Sequence, residues 1–163
     1  MSRVLIGGVG YRWMRDASFG LVISDALARL DWPPGTEVAD LGYGAIYAAQ
    51  DIAAARPDRL ILIAGVERGR TPGQLYRREP DRTLPAPEEI QERVREAGAG
   101  VIDLDHLLVI AGHFGALPPE VVVLELEPAD AAGGDGLSDA ATARLPEAIE
   151  LVRREALRVA SGV

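Results

Sequence analysis

The sequence predicts an α/β protein, a three-layer α/β/α sandwich with a mainly parallel twisted sheet, and three observations point to it. Leu60 to Ala64 is an uninterrupted apolar run, as in a strand covered on both faces. Strand-like and helix-like segments alternate along the chain, the order that βαβ units require. No internal repeat or linker divides the 163 residues, so a single domain over 1–163, with its own core, is expected.

The elements follow in order. Residues 3–8, RVLIGG, read as the first strand. A helix is expected near 18–31, where Phe19, Ile23, Leu27 and Leu30 recur on one face, and WPPG at 32–35 stops it. TEVADLG, 36–42, reads as strand two. The Ala-rich helix GAIYAAQDIAAAR ends at Pro57, and strand three begins at Arg59. Residues 67–86, rich in Arg, Pro and Gly, are the least regular, with GQLYRRE as a short edge strand. Helices are expected at 87–97 and 103–115, and EVVVLELEP, 120–128, is a strand. After the flexible loop ADAAGGDG, a last helix carries Leu145, Ile149, Val152, Ala156 and Val159 on one face. It tolerates Pro146 only in its first turn.

Composition narrows the function classes. A formal charge of −8 argues against nucleic-acid or anionic-membrane partners, which need a basic footprint. With no cysteine, disulfides, thiolate zinc, iron–sulfur ligation and a cysteine nucleophile are excluded. The apolar run at the N-terminus is too short for a signal-peptide core or a membrane span, so a cytoplasmic location is expected.

The chemistry-bearing motifs are sparse. GGVGYRWMRDASFG, 7–20, is a Gly-rich turn, but from Gly8 and Gly10 the closing glycine of a dinucleotide fingerprint falls on Trp13, whose indole bars close helix–strand contact. No Gly-Lys-Ser/Thr follows, so a phosphate loop fails too. In DLDH, 103–106, Asp103 and His106 share a helical face. They invite a metal reading, but Asp103 as a helix cap with His106 on the flank is favoured. His113 reads as a half-buried structural histidine, and no serine lies in a Gly-x-Ser-x-Gly elbow. Asp40, ending strand two in ADLGYG, is either functional or ties down the glycine turn after it.

Taken in order, these landmarks resemble the [NiFe]-hydrogenase maturation endopeptidase family. They are GVGYRWMRDASFG after strand one, DLGYG after strand two, RLILIAGVERGRTPGQLYR, LLVIAGHFGALPPEVVVLELEP, and GGDGLSDAATARLPEAIELV. The resemblance covers nearly the whole chain. It implies a cytoplasmic enzyme that removes a C-terminal extension from a hydrogenase large subunit after nickel insertion. It also implies a nickel-recognising trio: an acid after the Gly-rich turn, an Asp ending strand three, and a His before the penultimate helix. Carboxylate and imidazole ligands suit that ion. Here the trio falls on Ala17, Ala64 and Gly100; Asp16 keeps only the first place of the acidic pair, and Tyr11 stands where the family commonly has Asn.

Two readings follow. In the first, the nickel site is lost, no metal or cofactor is bound, and the vacated cleft holds a protein partner, a hydrogenase large subunit being the expected one. Tyr11, Trp13 and the arginines of 68–82, Arg68 first, are then the contacts, and an acidic peptide or a free carboxylate suits those arginines. In the second, the chain is an active endopeptidase with a shifted site rebuilt from Asp16, Glu67, Asp103, Asp105 and His106.

Overall fold

A computed structural model describes residues 2–158. Five strands form one sheet: β1 (Val4–Gly8), β2 (Thr36–Asp40), β3 (Arg59–Gly65), β4 (Leu75–Arg78) and β5 (Glu120–Leu126). Their order is β2-β1-β3-β5-β4, parallel except for β4, which runs antiparallel to β5 as an edge strand. The helices are α1 (Phe19–Leu27), α2 (Ala45–Ala55), α3 (Pro87–Gly98), α4 (Leu104–His113), α5 (Asp139–Ala143) and α6 (Leu145–Leu157). The α/β sandwich expected from the apolar strands is therefore the fold.

Side-chain alternation along the strands sorts the core into two layers. Ile6, Ile61, Ile63 and Leu124 pack with Phe19, Ile23 and Val152 on the α1/α6 face. Leu5, Leu60, Leu62 and Val123 pack with Ala48, Ile52, Leu107 and Ile110 on the α2/α4 face. Because both faces are covered, the strands read as continuous apolar runs.

Departures from the expected boundaries have local causes. Helix α1 ends at Leu27 rather than near 31, because Arg29 and Leu30 donate three residues back, to Ala26 and Leu27, and the Trp32 indole donates to the Leu27 carbonyl at 2.8 Å. Strands β2 and β5 stop at Asp40 and Leu126, where the backbone leaves the ladder. The last helix breaks at Arg144 into α5 and α6, which puts Pro146 in the first turn of α6. Val159, placed on that helix by periodicity, lies outside the described residues.

The chain passes from β1 to β2 on one side and from β2 across to β3 on the other, so β1 and β3 flank the topological switch point. Helix α1 comes unusually close to the sheet there. A Cβ on Gly20 would lie 2.0 Å from the Ile63 carbonyl oxygen, and one on Gly8 would lie 2.1 Å from that of Gly20. The close approach that Trp13 could not supply is made seven residues later. Gly20→Ala should therefore lower stability by roughly 3 kcal/mol, the upper end of overpacking costs. Urea unfolding should show a lower midpoint at unchanged slope.

Candidate functional site

At the carboxyl ends of β1 and β3 the surface opens into a cleft of about 390 Å³. Val9, Ala17, Ala64 and Leu104 floor it, Tyr11, Met14 and Pro128 wall it, and Glu67, Asp103 and Asp105 stand at its acidic side. The floor is tight. A Cβ on Gly65 would lie 2.0 Å from the Asp16 carbonyl oxygen, and Tyr11 N–H donates to the Ala17 carbonyl at 3.1 Å. Tyr11 also reaches across the cleft, its Oη accepting from Ile102 N–H at 3.0 Å.

Asp16 lies beneath this floor, fully buried, and does not face the cleft. Its Oδ2 accepts from Ala129 N–H at 2.9 Å, Asp130 N–H at 3.1 Å and Ser138 Oγ at 2.7 Å, and Oδ1 accepts from Ser138 N–H at 2.8 Å. Burial alone would raise its pKa. The donors from Ser138, Asp130 and Ala129 prevail and hold it below the ordinary aspartate value. Asp16 thus fastens the β1–α1 turn to the loop before α5. The same turn holds Trp13 and Arg15 at φ of 68° and 43°, a left-handed backbone that side chains disfavour. Gly134 pins it by donating to the Trp13 carbonyl at 2.7 Å. Trp13 itself is 69% exposed and lies outside the cleft lining.

Asp40 ties down the glycine turn, accepting from Gly42 N–H at 2.8 Å, and also pairs with Arg12 at 2.8 Å. The arginines of the 68–82 segment prove to be internal partners rather than free contacts. Glu125 and Glu127, on and just after β5, are almost wholly buried. Arg68, Arg70 and Arg78 reach Glu125 at 2.8–2.9 Å, and Arg70 also reaches Glu127 at 2.9 Å. Arg77 pairs with Glu155, and Arg82 donates to the carbonyls of Pro119 and Leu117. Burial opposes ionisation of Glu125, but Arg68 and Arg78 lower its pKa to about 2. The expectation that Arg68 and its neighbours await an acidic peptide is corrected: buried carboxylates demand those cations. The sequence reading overlooked this network, although two glutamates interrupting an apolar strand in LELEP were the signal for it.

His106 is also turned away from the cleft. It is 8% exposed, its Nδ1 lies 2.7 Å from Asp103 Oδ1 and its Nε2 lies 2.5 Å from Glu96 Oε2 on α3. Asp103 caps α4 as expected, accepting from His106 N–H at 2.9 Å. Burial would lower the imidazole pKa, but Glu96 and Asp103 raise it above its ordinary value. Asp16 and His106 share no partner, so the shifted site is not assembled from them. Among the described residues no three His, Asp or Glu side chains form a group able to hold a metal ion. Of the positions matching the family trio, Ala17 and Ala64 meet in the cleft floor and offer methyl groups. Gly100 is exposed after α3, at φ 101°, and does not line the cleft. That donor set does not fit nickel.

A parallel sheet with its cleft at the switch point and a Gly-rich turn beside it defines a class, the doubly wound α/β proteins. No family model matches the sequence, and no curated protein matches it. Solved structures do. The hydrogenase 2 maturation peptidase of a Thaumarchaeota archaeon superposes with a TM-score of 0.67 at 27% identity, over 95% of this chain and 97% of its own. The hydrogenase maturating endopeptidase HybD of E. coli gives 0.70 at 21% identity, over 92% and 89%. The [NiFe] hydrogenase maturation protease HybD of Thermococcus kodakarensis gives 0.65 at 22%, over 94% and 99%. The chain is similar to hydrogenase maturation proteases over nearly its whole length and has their fold. Among the described residues no helix is long and apolar enough to cross a membrane.

Two titrations check the electrostatics. His106 is faced by Glu96 and Arg93 from α3 and by Asp103 at the start of α4. With its folded pKa raised, its contribution to stability is complete below the unfolded value of 6.5 and is lost as pH rises through the folded one. Its NMR midpoint should lie above 6.5, and Glu96→Gln should lower it. For Glu125 the sign reverses: stability is present above 4.5 and is lost as pH falls through about 2. Glu125→Gln should cost about 3–5 kcal/mol at neutral pH. In urea unfolding the gap to wild type should close as the pH falls across that window.

Proposed function

We propose that this chain is a divergent cytoplasmic relative of the [NiFe]-hydrogenase maturation proteases that works as an accessory binding factor in large-subunit maturation. In this reading its nickel-recognition site is lost. What supports the reading is that Ala17 and Ala64, which the resemblance puts at two ligand positions, both line the cleft and have only methyl side chains. The cleft then holds a segment of the partner protein by shape and by its lining, and nothing in it calls for a metal. Tyr11 supports this role. By accepting from Ile102 N–H it joins the two lips of the cleft, so the groove is formed before a partner arrives.

An endopeptidase that removes a C-terminal extension is the second reading, favoured by the carboxylates of Glu67, Asp103 and Asp105 at the same cleft, since a carboxylate can activate water. Asp103 and Asp105 are, however, engaged by His106 and Arg68. Calorimetric titration of metal-stripped protein with Ni²⁺ and then Zn²⁺ separates the readings. The accessory reading expects no stoichiometric binding. Tight one-to-one binding that Glu67→Gln or Asp105→Asn weakens would overturn it and return the chain to the metal-dependent peptidases.

A further inference from the structure

We infer that the cleft is a side-chain pocket for an apolar residue with a basic neighbour in a segment of the partner protein. The inference rests on the reading above, in which a partner segment enters the cleft without nickel, and adds the chemistry of that segment.

Two features of the cleft carry it. The first is the floor. Val9, Ala17, Ala64 and Leu104 supply only hydrocarbon, and Met14 adds a flexible thioether at the wall. A polar side chain seated there would lose its water and gain no partner, which disfavours it, whereas an apolar one gains by leaving water. At about 390 Å³ the space admits a whole side chain of the Leu, Ile or Met size.

The second is the sign of the charge beside that floor. The cleft lining contains three carboxylates, Glu67, Asp103 and Asp105, and no cation. The neighbouring cations are already paired. Arg68 is shared between Asp105 and the buried Glu125, and His106 lies between Asp103 and Glu96. Glu67 has no ion-pair partner among the described residues and is exposed. Asp103 and Asp105 remain 43% and 58% exposed; Asp103 keeps Oδ2 without a partner among the described residues, while both oxygens of Asp105 accept from Arg68. An ammonium or guanidinium beside the apolar side chain therefore meets complementary charge, while an acidic group meets repulsion. This reverses the acidic partner that the Arg-rich loop suggests when only the sequence is in view.

The test uses the full-length protein with Ala and Leu methyl groups labelled for NMR, and three end-blocked Gly-Ser hexapeptides with Leu-Lys, Leu-Glu or Ser-Lys at the centre. The Leu-Lys peptide should shift the Ala17, Ala64 and Leu104 methyl signals saturably and bind at least about tenfold tighter than Leu-Glu. Ser-Lys should be similarly weak. Glu67→Lys, a change at an exposed position, should erase the preference for Leu-Lys over Leu-Glu, and Ala17→Leu, which fills the floor, should weaken Leu-Lys binding. Equal binding of Leu-Glu, equal binding of Ser-Lys, or no shift of these methyls at millimolar Leu-Lys would overturn the inference. Those failures leave the metal-free reading standing. Stoichiometric Ni²⁺ binding that shifts the same methyls would instead overturn that reading and the inference with it.

Discussion

Asp16 is fully buried, and its charge is met by protein donors. Three backbone N–H groups and the Ser138 hydroxyl meet it, and all come from the 129–138 stretch, more than a hundred residues away in sequence. Two loops that would otherwise wander are thereby held at fixed separation. Ser138 in turn accepts from Ala141 N–H and starts α5, so the same carboxylate sets where the last helical segment begins. With the β1–α1 turn anchored from below, Gly10 and Gly65 can lie against residues 16–17 with no room for a Cβ. The cleft floor is the upper surface of that contact.

Its other side depends on a comparable rule. Glu125 sits where a strand of the α/β core should carry an apolar side chain and Glu127 just after its end, and burying two charges costs several kcal/mol each unless they are paired. Pairing draws in Arg68 and Arg70, from the irregular segment between β3 and β4, and Arg78 of β4, and fixes them against β5. Arg70 also stacks 4.2 Å above the Tyr76 ring. Exposed pairs such as Arg12–Asp25 contribute far less, so the fixed position of this segment rests on the buried glutamates.

Much of this was legible in the sequence, and the reasons differ by element. Strands β1, β3 and β5 are apolar because both faces are covered, and that pattern survives in one dimension. Asp103 as a cap and Pro146 in a first turn are local rules, and both held. Ala17 and Ala64 were placed by the order of landmarks and do meet in the cleft. Gly100 was placed by counting back without gaps across a helix start, and it lies clear of the cleft, where Asp103 and Leu104 take the lip. The arginines were misjudged because pairing across 47–57 residues is a property of tertiary structure that no window of sequence contains. The same holds for His106, whose partner Glu96 lies on the neighbouring helix.

These constraints together set the sign of the surface a partner meets. A basic segment lies next to the cleft, but the cost of leaving Glu125 and Glu127 unpaired far exceeds what an exposed arginine gains from a passing carboxylate, so Arg68, Arg70 and Arg78 are held by those glutamates. What remains toward solvent is acid: Glu67, Asp105 and the outer part of Asp103. Methyl groups on the floor offer water no hydrogen-bond partner where ligating carboxylates would, which suits the floor to an apolar side chain. Because Asp16 and Tyr11 have already fixed the walls, little ordering of the cleft remains to be done on binding. In the proposed reading, recognition by such a site is carried by shape and apolar contact, with charge choosing between partners rather than supplying most of the affinity.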